Sequence, residues 1–236
     1  MGQSAQSSVL PPFSVLWQVR SPASAQTNEK PGSIPDWVEA IRSLRGSVLY
    51  ADGRRPQFKT ADGQYYDSDP IDVHCYHMLA YQDHQLVGCV RVYPLVSHAP
   101  QCVTEKLLGK EAFAQMLLEL GGRQATTIEF SRWVVHPDYR KVGLSMQLAA
   151  GACAIGRHLG FPLAIASAGT GDQQDQILAH MGFKAVPTVG LLPSDLYHDW
   201  IRVMYVSGQN YSPHFVRSID QMAQVLRLNE ASLFGQ

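Results

Sequence analysis

The chain has 236 residues, 45% of them hydrophobic and 17% charged, and its 19 basic and 20 acidic side chains leave a net charge of −1. That length supports one full domain with its own core, and the composition excludes a disordered or fibrous chain. With no basic excess a nucleic-acid partner is not expected, and no apolar run reaches the roughly 18–20 residues of a membrane span, so integral membrane association is not expected either.

Cys75, Cys89, Cys102 and Cys153 form no C-x-x-C pair, a pattern of reduced thiols in a cytoplasmic protein. The first residues lack the basic-then-apolar order of a signal peptide. Residues 1–33, rich in Ser, Gln, Pro and Ala, predict a flexible N-terminal arm in which Phe13-Ser-Val-Leu-Trp17 can dock on the surface. Residues 34–236 are expected to form a single domain. A helix capped by Asp36 is predicted to run to about residue 45, with Trp37, Ile41 and Leu44 on its apolar face.

Residues 52–72 hold two Asp-Gly steps and two prolines, a long polar loop of the functional kind. Strands are predicted over 73–80 and 86–93, joined by a turn at 82–84. A helix follows over 105–120, then a strand over 126–135, a helix over 144–159, a short buried strand over 162–167 and a helix over 172–180. Two strands, 186–192 and 200–206, complete the order β-β-α-β-α-β-α-β-β. The fold class is therefore α/β (α+β), a mixed sheet flanked by helices.

The segment from Ile128 to Ser145 is the most informative. A strand leads through His136-Pro137-Asp138 into Arg140-x-x-Gly143-x-Ser145, where a helix begins. Free N–H groups at such a helix start suit a phosphate or pyrophosphate, and Arg140 and Lys141 add charge at the mouth. A plain strand-turn-helix crossover has the same outline. Within the strand, alternation puts Glu129, Ser131 and Trp133 on one face and Phe130 and Arg132 on the other. A buried Glu and Arg need partners; Arg132 with Asp67, and Glu129 with Arg91 or Arg45, are the ion pairs expected. The functional alternative makes Glu129 a general base, direct or through water, that frees an amine from its ammonium form.

Other groupings carry less. His74 and His77 on one strand point to opposite faces and cannot share an ion, so no metal site is expected. The cysteines have no identifiable His partner for nucleophilic work. Ser167-Ala-Gly-Thr-Gly171 reads as a turn between strand and helix. Tyr197, Tyr205 and Tyr211 are candidate acids.

Arg140, Gly143 and Ser145 resemble the [QR]-x-x-G-x-[GA] motif of the GNAT acyltransferase superfamily, with Ser in the last place, and Ile177-Leu-Ala-His-Met-Gly-Phe183 resembles its helix ending in Gly-Phe, with Leu178 where a Tyr is usual. A narrower resemblance is to the N-acyl amino acid and acyl-homoserine-lactone synthases. Their pattern appears in order as Arg45-Gly-Ser-Val-Leu49, Gln64-Tyr-Tyr-Asp67, Gly88-Cys-Val-Arg91 and Glu129-Phe-Ser-Arg132-Trp133. Leu49 and Gln64 depart from it. The resemblance implies a GNAT-like acyl-CoA N-acyltransferase fold with a mixed, mostly antiparallel central sheet. It also implies transfer of an acyl group from acyl-carrier-protein phosphopantetheine or acyl-CoA to a small amine such as an amino acid, with no permanently bound cofactor. Acetyl-CoA-dependent N-acetylation and non-catalytic acyl binding are the alternatives.

By the same resemblance, Glu129 and Arg132 serve catalysis, with an oxyanion donor among the backbone N–H groups of Trp133, Val134 and Val135. Val134, Val135, Arg140, Lys141, Val142, Gly143, Leu144 and Ser145 would hold the pyrophosphate arm. Arg45, Asp67, Arg91 and Ser131 would order the amine site and a substrate carboxylate. Met146, Leu148 and Phe161 are expected around the acyl chain. Arg140, Lys141 and Arg157 are expected as a basic landing patch if an acidic carrier protein is the donor.

Overall fold

The computed structural model describes residues 15–22, 34–95, 100–208 and 210–227, without the side chains of Lys141 and Val142. Eight strands build one sheet: β1 (Leu16–Arg20), β2 (Tyr76–Gln82), β3 (Gln85–Pro94), β4 (Thr127–Val135), β5 (Leu163–Gly169), β6 (Lys184–Ala185), β7 (Leu192–Ser194) and β8 (Asp199–Ser207). Their spatial order is β1-β2-β3-β4-β5-β8-β6, with β7 also on β8. Every pairing is antiparallel except β4 with β5. The expected mixed, mostly antiparallel sheet is what forms. Asp83 and His84, both at positive φ, make the two-residue turn that matches the strand twist between β2 and β3.

Several elements differ from expectation. Leu16–Arg20, assigned by composition to the arm, is the edge strand β1, with Leu16 opposite Tyr81 and Arg20 opposite His77; its Trp17 and Val19 pack on the core. The rest of the arm lies outside the described residues. The helix expected over 105–120 is two, α2 (Val103–Leu108) and α3 (Lys110–Glu119), because Gly109 at φ +81° breaks the run. The strand expected over 186–192 does not form: Val186 still bonds to Val203, but Pro187 has no N–H with which to continue.

The first helix, α1 (Asp36–Ala51), runs past residue 45, and its buried face includes Arg42 and Arg45 beside Ile41 and Val48. Pro35 occupies the cap, so Asp36 sits in the first turn, where a carboxylate favours the helix dipole. Gly46 lies against the backbone of Tyr65 and Tyr66, so any side chain there would push the polar loop off the helix. The remaining helices are α4 (Leu144–His158), α5 (Gln174–Met181) and an unanticipated α6 (Pro213–Val225), whose Phe215, Ile219 and Met222 recur at helical spacing.

One face of the sheet, with Met78, Val92, Ile128 and Ala164, packs against Leu148, Ile155 and Ile219 of α4 and α6. The other is covered by Ile41, Leu44 and Val48 of α1 and by Phe113, Met116 and Leu117 of α3. Each of these side chains larger than alanine contributes roughly 1.5–3 kcal/mol by leaving water. β4 and β5 are in register only from Thr127 to Phe130, against Leu163 to Ala166. Beyond that point they part, and the gap is the centre of the candidate site.

Candidate active site

Arg132 stands at φ +54°, a conformation a branched or long side chain rarely adopts. It is the extra residue of a bulge, since Arg91 pairs with Ser131 while Cys89 pairs with Val134. The bulge overturns the expected alternation. Arg132 points with Glu129 and Ser131 towards the α1 side, and Trp133 packs with Phe130 on the α4 side. His136 N–H bonds to Val87 on β3, so strand alternation turns the N–H and C=O of Val135 to the opposite edge, where Arg140 Nε takes the C=O at 3.2 Å. The Val135 N–H therefore faces the gap.

Behind the bulge lies a buried charge cluster. Arg45 grips both oxygens of Asp72 at 2.8 and 2.7 Å. Arg42 Nε reaches Asp72 at 3.1 Å, and Arg91 Nη1 reaches Asp72 at 3.0 Å and Asp69 at 2.9 Å. Asp67 Oδ2 lies 2.9 Å from the Nε of both Arg45 and Arg132, off the hydrogen-bond axis, so these contacts are coulombic. Arg132 also reaches Asp69 at 3.4 Å and Tyr197 Oη at 3.4 Å. The expected Arg132–Asp67 pair is present. Arg45 and Arg91 are neutralised by these aspartates and brace the loop, although Arg91 Nη2 keeps no hydrogen-bond partner among the described residues. Arg91 Nε donates to Ser131 Oγ at 3.0 Å, tying the cluster to the bulge.

His77 joins the cluster from below, donating Nε2–H to the Asp72 carbonyl at 2.9 Å. Burial pushes its pKa down to about 3, against the pull of Asp72. The unfolded chain takes up this proton near pH 6.5 and the folded one does not. The stability His77 permits is thus present above about pH 6.5 and is lost as pH falls towards 3. Urea unfolding between pH 6.5 and 4.5 is expected to show a loss approaching about 1.4 kcal/mol per pH unit from this residue. His77→Gln should flatten that slope; an unchanged slope contradicts the assignment.

Glu129 is fully buried and pairs with no cation among the described residues. Its Oε1 accepts from the Thr104 N–H at 2.8 Å and the Thr104 hydroxyl at 2.6 Å, and its Oε2 accepts from the Val103 N–H at 3.0 Å. The expected pairing with Arg91 or Arg45 is therefore absent: the free N–H groups at the start of α2 satisfy the carboxylate instead. Thr104 Oγ1 also lies 2.9 Å from Ser167 Oγ. Thr104 has one hydroxyl proton and gives it to the carboxylate, so Ser167 donates to Thr104 and keeps its own lone pairs for the gap.

Three cavities meet at this gap, and Trp133 and Gln174 line all of them. The first, of about 580 Å³, is mostly apolar and runs between the sheet and α4, lined by Phe130, Ala149, Ala152, Cys153, Ala166 and Met181. The second, of about 630 Å³, holds Arg54, Arg55, Arg132, Tyr197 and Asp199. The third, of about 1090 Å³, opens at the start of α4 beside Val134, Val135, Arg140, Ser145 and Met146. The Trp133 indole N–H is buried with no acceptor among the described residues. Glu129 lines none of the three; Ser167 lines the first two.

The α4 start has the expected form. A turn over Pro137–Val142 enters the helix through Gly143 at φ +78°, with Leu144 buried beneath it. Of the residues expected around an acyl chain, Met146 lines the third cavity, while Leu148 and Phe161 pack in and against the core outside the first. The landing patch is not built as expected either. Arg140 pairs with Asp52 at 2.7 Å and Arg157 with Asp220 at 2.8 Å, and the Lys141 side chain lies outside the described residues.

Asp69, Asp72, Thr104 and Arg55 were missed. The aspartates lie in a loop whose polarity marked it; Thr104, in a helix, carried no signal. All four cysteines are buried, and burial pushes the Cys89 and Cys153 thiols up to about 12 and those of Cys75 and Cys102 higher still. Such thiols are poor nucleophiles. No group of three metal-ligating side chains occurs among the described residues, nor any helix long and apolar enough to cross a membrane.

Residues 44–150 match the family model of the GNAT acetyltransferase domain. No curated protein matches the sequence. Among solved structures the chain is similar to the CoA-dependent acyl-homoserine lactone synthase BjaI, in a complex with SAM and isopentyl-CoA, at 20% identity and TM-score 0.60, covering 94% of this chain and 93% of that one. It is similar to the CoA-dependent synthase MesI at 17% identity and TM-score 0.57, covering 93% and 98%. An acyl-CoA N-acyltransferase from Pseudomonas aeruginosa follows at 17% identity and TM-score 0.53, covering 82% and 100%. The fold is the GNAT fold.

Proposed function

We propose that this GNAT-fold acyltransferase moves an acyl group from acyl-CoA to the amine of a small acceptor by direct attack, with no acyl-enzyme. The observation that carries the reading is the parting of β4 and β5 after Phe130 and Ala166, which opens three cavities onto one point. The third cavity would take the pyrophosphate arm on the α4 N–H groups and Ser145. The thioester would sit in the gap with its carbonyl oxygen near the Val135 N–H, and the acyl chain would run into the first cavity. The paired state of Arg140 and Arg157 favours CoA over an acidic carrier protein as donor.

The acceptor enters from the second cavity. Its nitrogen attacks the thioester carbon, the C–N bond forms, the C–S bond breaks, and CoA leaves as the thiol, its sulfur taking up the proton that the nitrogen sheds as the amide forms. The ammonium proton must go first, because a protonated amine has no lone pair. Ser167 Oγ would take it while passing its own proton to Thr104, and Thr104 passes its proton to Glu129. Glu129 thus acts as base at one remove. The high thiol pKa values speak against a cysteine intermediate.

Thiol release from acetyl-, butanoyl- and octanoyl-CoA, with and without a panel of amines, tests this reading. Amine-dependent release from the longer donors is expected; release from acetyl-CoA alone, or from none, contradicts it. Ala152→Leu, which fills the first cavity, should cut kcat/KM for the longest accepted donor at least about tenfold relative to butanoyl-CoA.

A further inference from the structure

Arg55 is 3% exposed, yet no carboxylate lies within ion-pair distance of it among the described residues. Every other arginine lining the second cavity is neutralised: Arg54 by Asp172, and Arg132 by Asp67 and Asp69. The Arg55 guanidinium lies over the Tyr197 ring, its carbon 3.8 Å from the ring centroid. Its Nη1 is spent on the carbonyls of Arg54 and Leu196. Nε and Nη2 have no protein acceptor among the described residues, and the residue lines the cavity. A buried charge without a counterion is costly to keep. Burial pushes its pKa down to about 10, with the Arg132 charge adding to the fall and Tyr197 and Asp67 opposing it, so it stays protonated at neutral pH.

The same cavity contains one carboxylate that no side-chain cation neutralises. Asp199 is held by the backbone N–H groups of Gly171 and Trp200. One uncompensated guanidinium and one carboxylate without a cation, in one cavity, match a zwitterion. We propose that Arg55 receives the carboxylate of the acceptor, through its free Nε and Nη2 edge, and is the residue that selects a carboxylate-bearing acceptor over its decarboxylated amine. The planar fork suits a carboxylate bidentately. Stacking on Tyr197 fixes the fork before the substrate arrives, which lowers the ordering cost of binding. The inference rests on the acyl-transfer reading for its chemistry, but the anion site itself is a matter of binding.

The experiment compares L-phenylalanine with phenethylamine, and L-methionine with 3-(methylthio)propylamine, among a wider panel of amino acids each paired with its decarboxylated amine. With octanoyl-CoA as donor, at least one amino acid should exceed its paired amine in kcat/KM by about 30-fold or more. Arg55→Gln should bring that ratio towards one, and Arg55→Lys should keep part of it. Because the ratio is taken within one preparation, partial unfolding of a variant cancels. Equal use of both partners by the wild type, or an unchanged ratio in Arg55→Gln, overturns the proposal and leaves acyl transfer standing. If no acceptor is acylated the transfer reading fails, and binding decides the site: quenching of tryptophan fluorescence by the amino acids, lost in Arg55→Gln, supports it, and no such difference overturns it.

Discussion

Asp72→Ala is expected to leave little folded protein at 25 °C. The Asp72 carboxylate is fully buried and is shared by Arg42, Arg45 and Arg91, which make four contacts between 2.7 and 3.1 Å. Burial alone would raise its pKa, but the hydrogen bonds and charge of Arg45, with the charge of Arg91, hold it well below the usual carboxylate range. Breaking one buried pair costs about 3–5 kcal/mol by stranding the other charge, and here three cations lose a partner together. Against a total stability of about 5–15 kcal/mol that is decisive. Asp72→Asn keeps one acceptor oxygen and the shape, so it should fall between. The check is urea unfolding followed by circular dichroism; a midpoint for Asp72→Ala close to wild type would show that the cluster does not hold the loop on α1.

The second large effect is on turnover. Glu129→Gln should lower kcat by about 10²–10⁴ with a smaller change in donor KM, as expected for a lost base. The substitution also turns an amide NH₂ towards one of the N–H groups of Val103 or Thr104, which costs about 1–3 kcal/mol of stability. Ser167→Ala avoids that difficulty, because Ser167 touches Thr104 and the cavities but not the carboxylate. It should lower kcat at least about tenfold. Combined with Glu129→Gln it should add almost nothing, since both break one proton path. Additive losses in the double variant contradict the relay.

Glu129, Arg132, Asp67 and Arg91 were legible as a group because a charged pair in a central strand demands partners, and those partners are present for Arg132. The partners of Glu129 were not legible. They are backbone N–H groups, which every sequence supplies and which only the placement of α2 against β4 brings to the carboxylate. The bulge was hidden too, because strand alternation carries no mark of an extra residue; it moved Arg132 and Trp133 to opposite faces from those expected. Arg55 looked like one charge in a polar loop. Its burial, and its lack of a carboxylate, appear only when the loop folds onto Tyr197. The helix start at Gly143 was legible throughout, since its turn chemistry is local. By contrast, the edge strand at Leu16–Arg20 depends on β2, sixty residues away, and polar flanks concealed it.

The site reading as a whole stands on the gap between β4 and β5, and one structure tests it directly: a crystal grown with a non-hydrolysable thioether analogue of octanoyl-CoA. The sulfur is expected between Trp133 and Ser167, the pyrophosphate against the start of α4, and the hydrocarbon among Phe130, Ala152 and Ala166. An analogue bound with its chain outside that gap, or a gap left closed while the analogue binds elsewhere on the chain, contradicts the account.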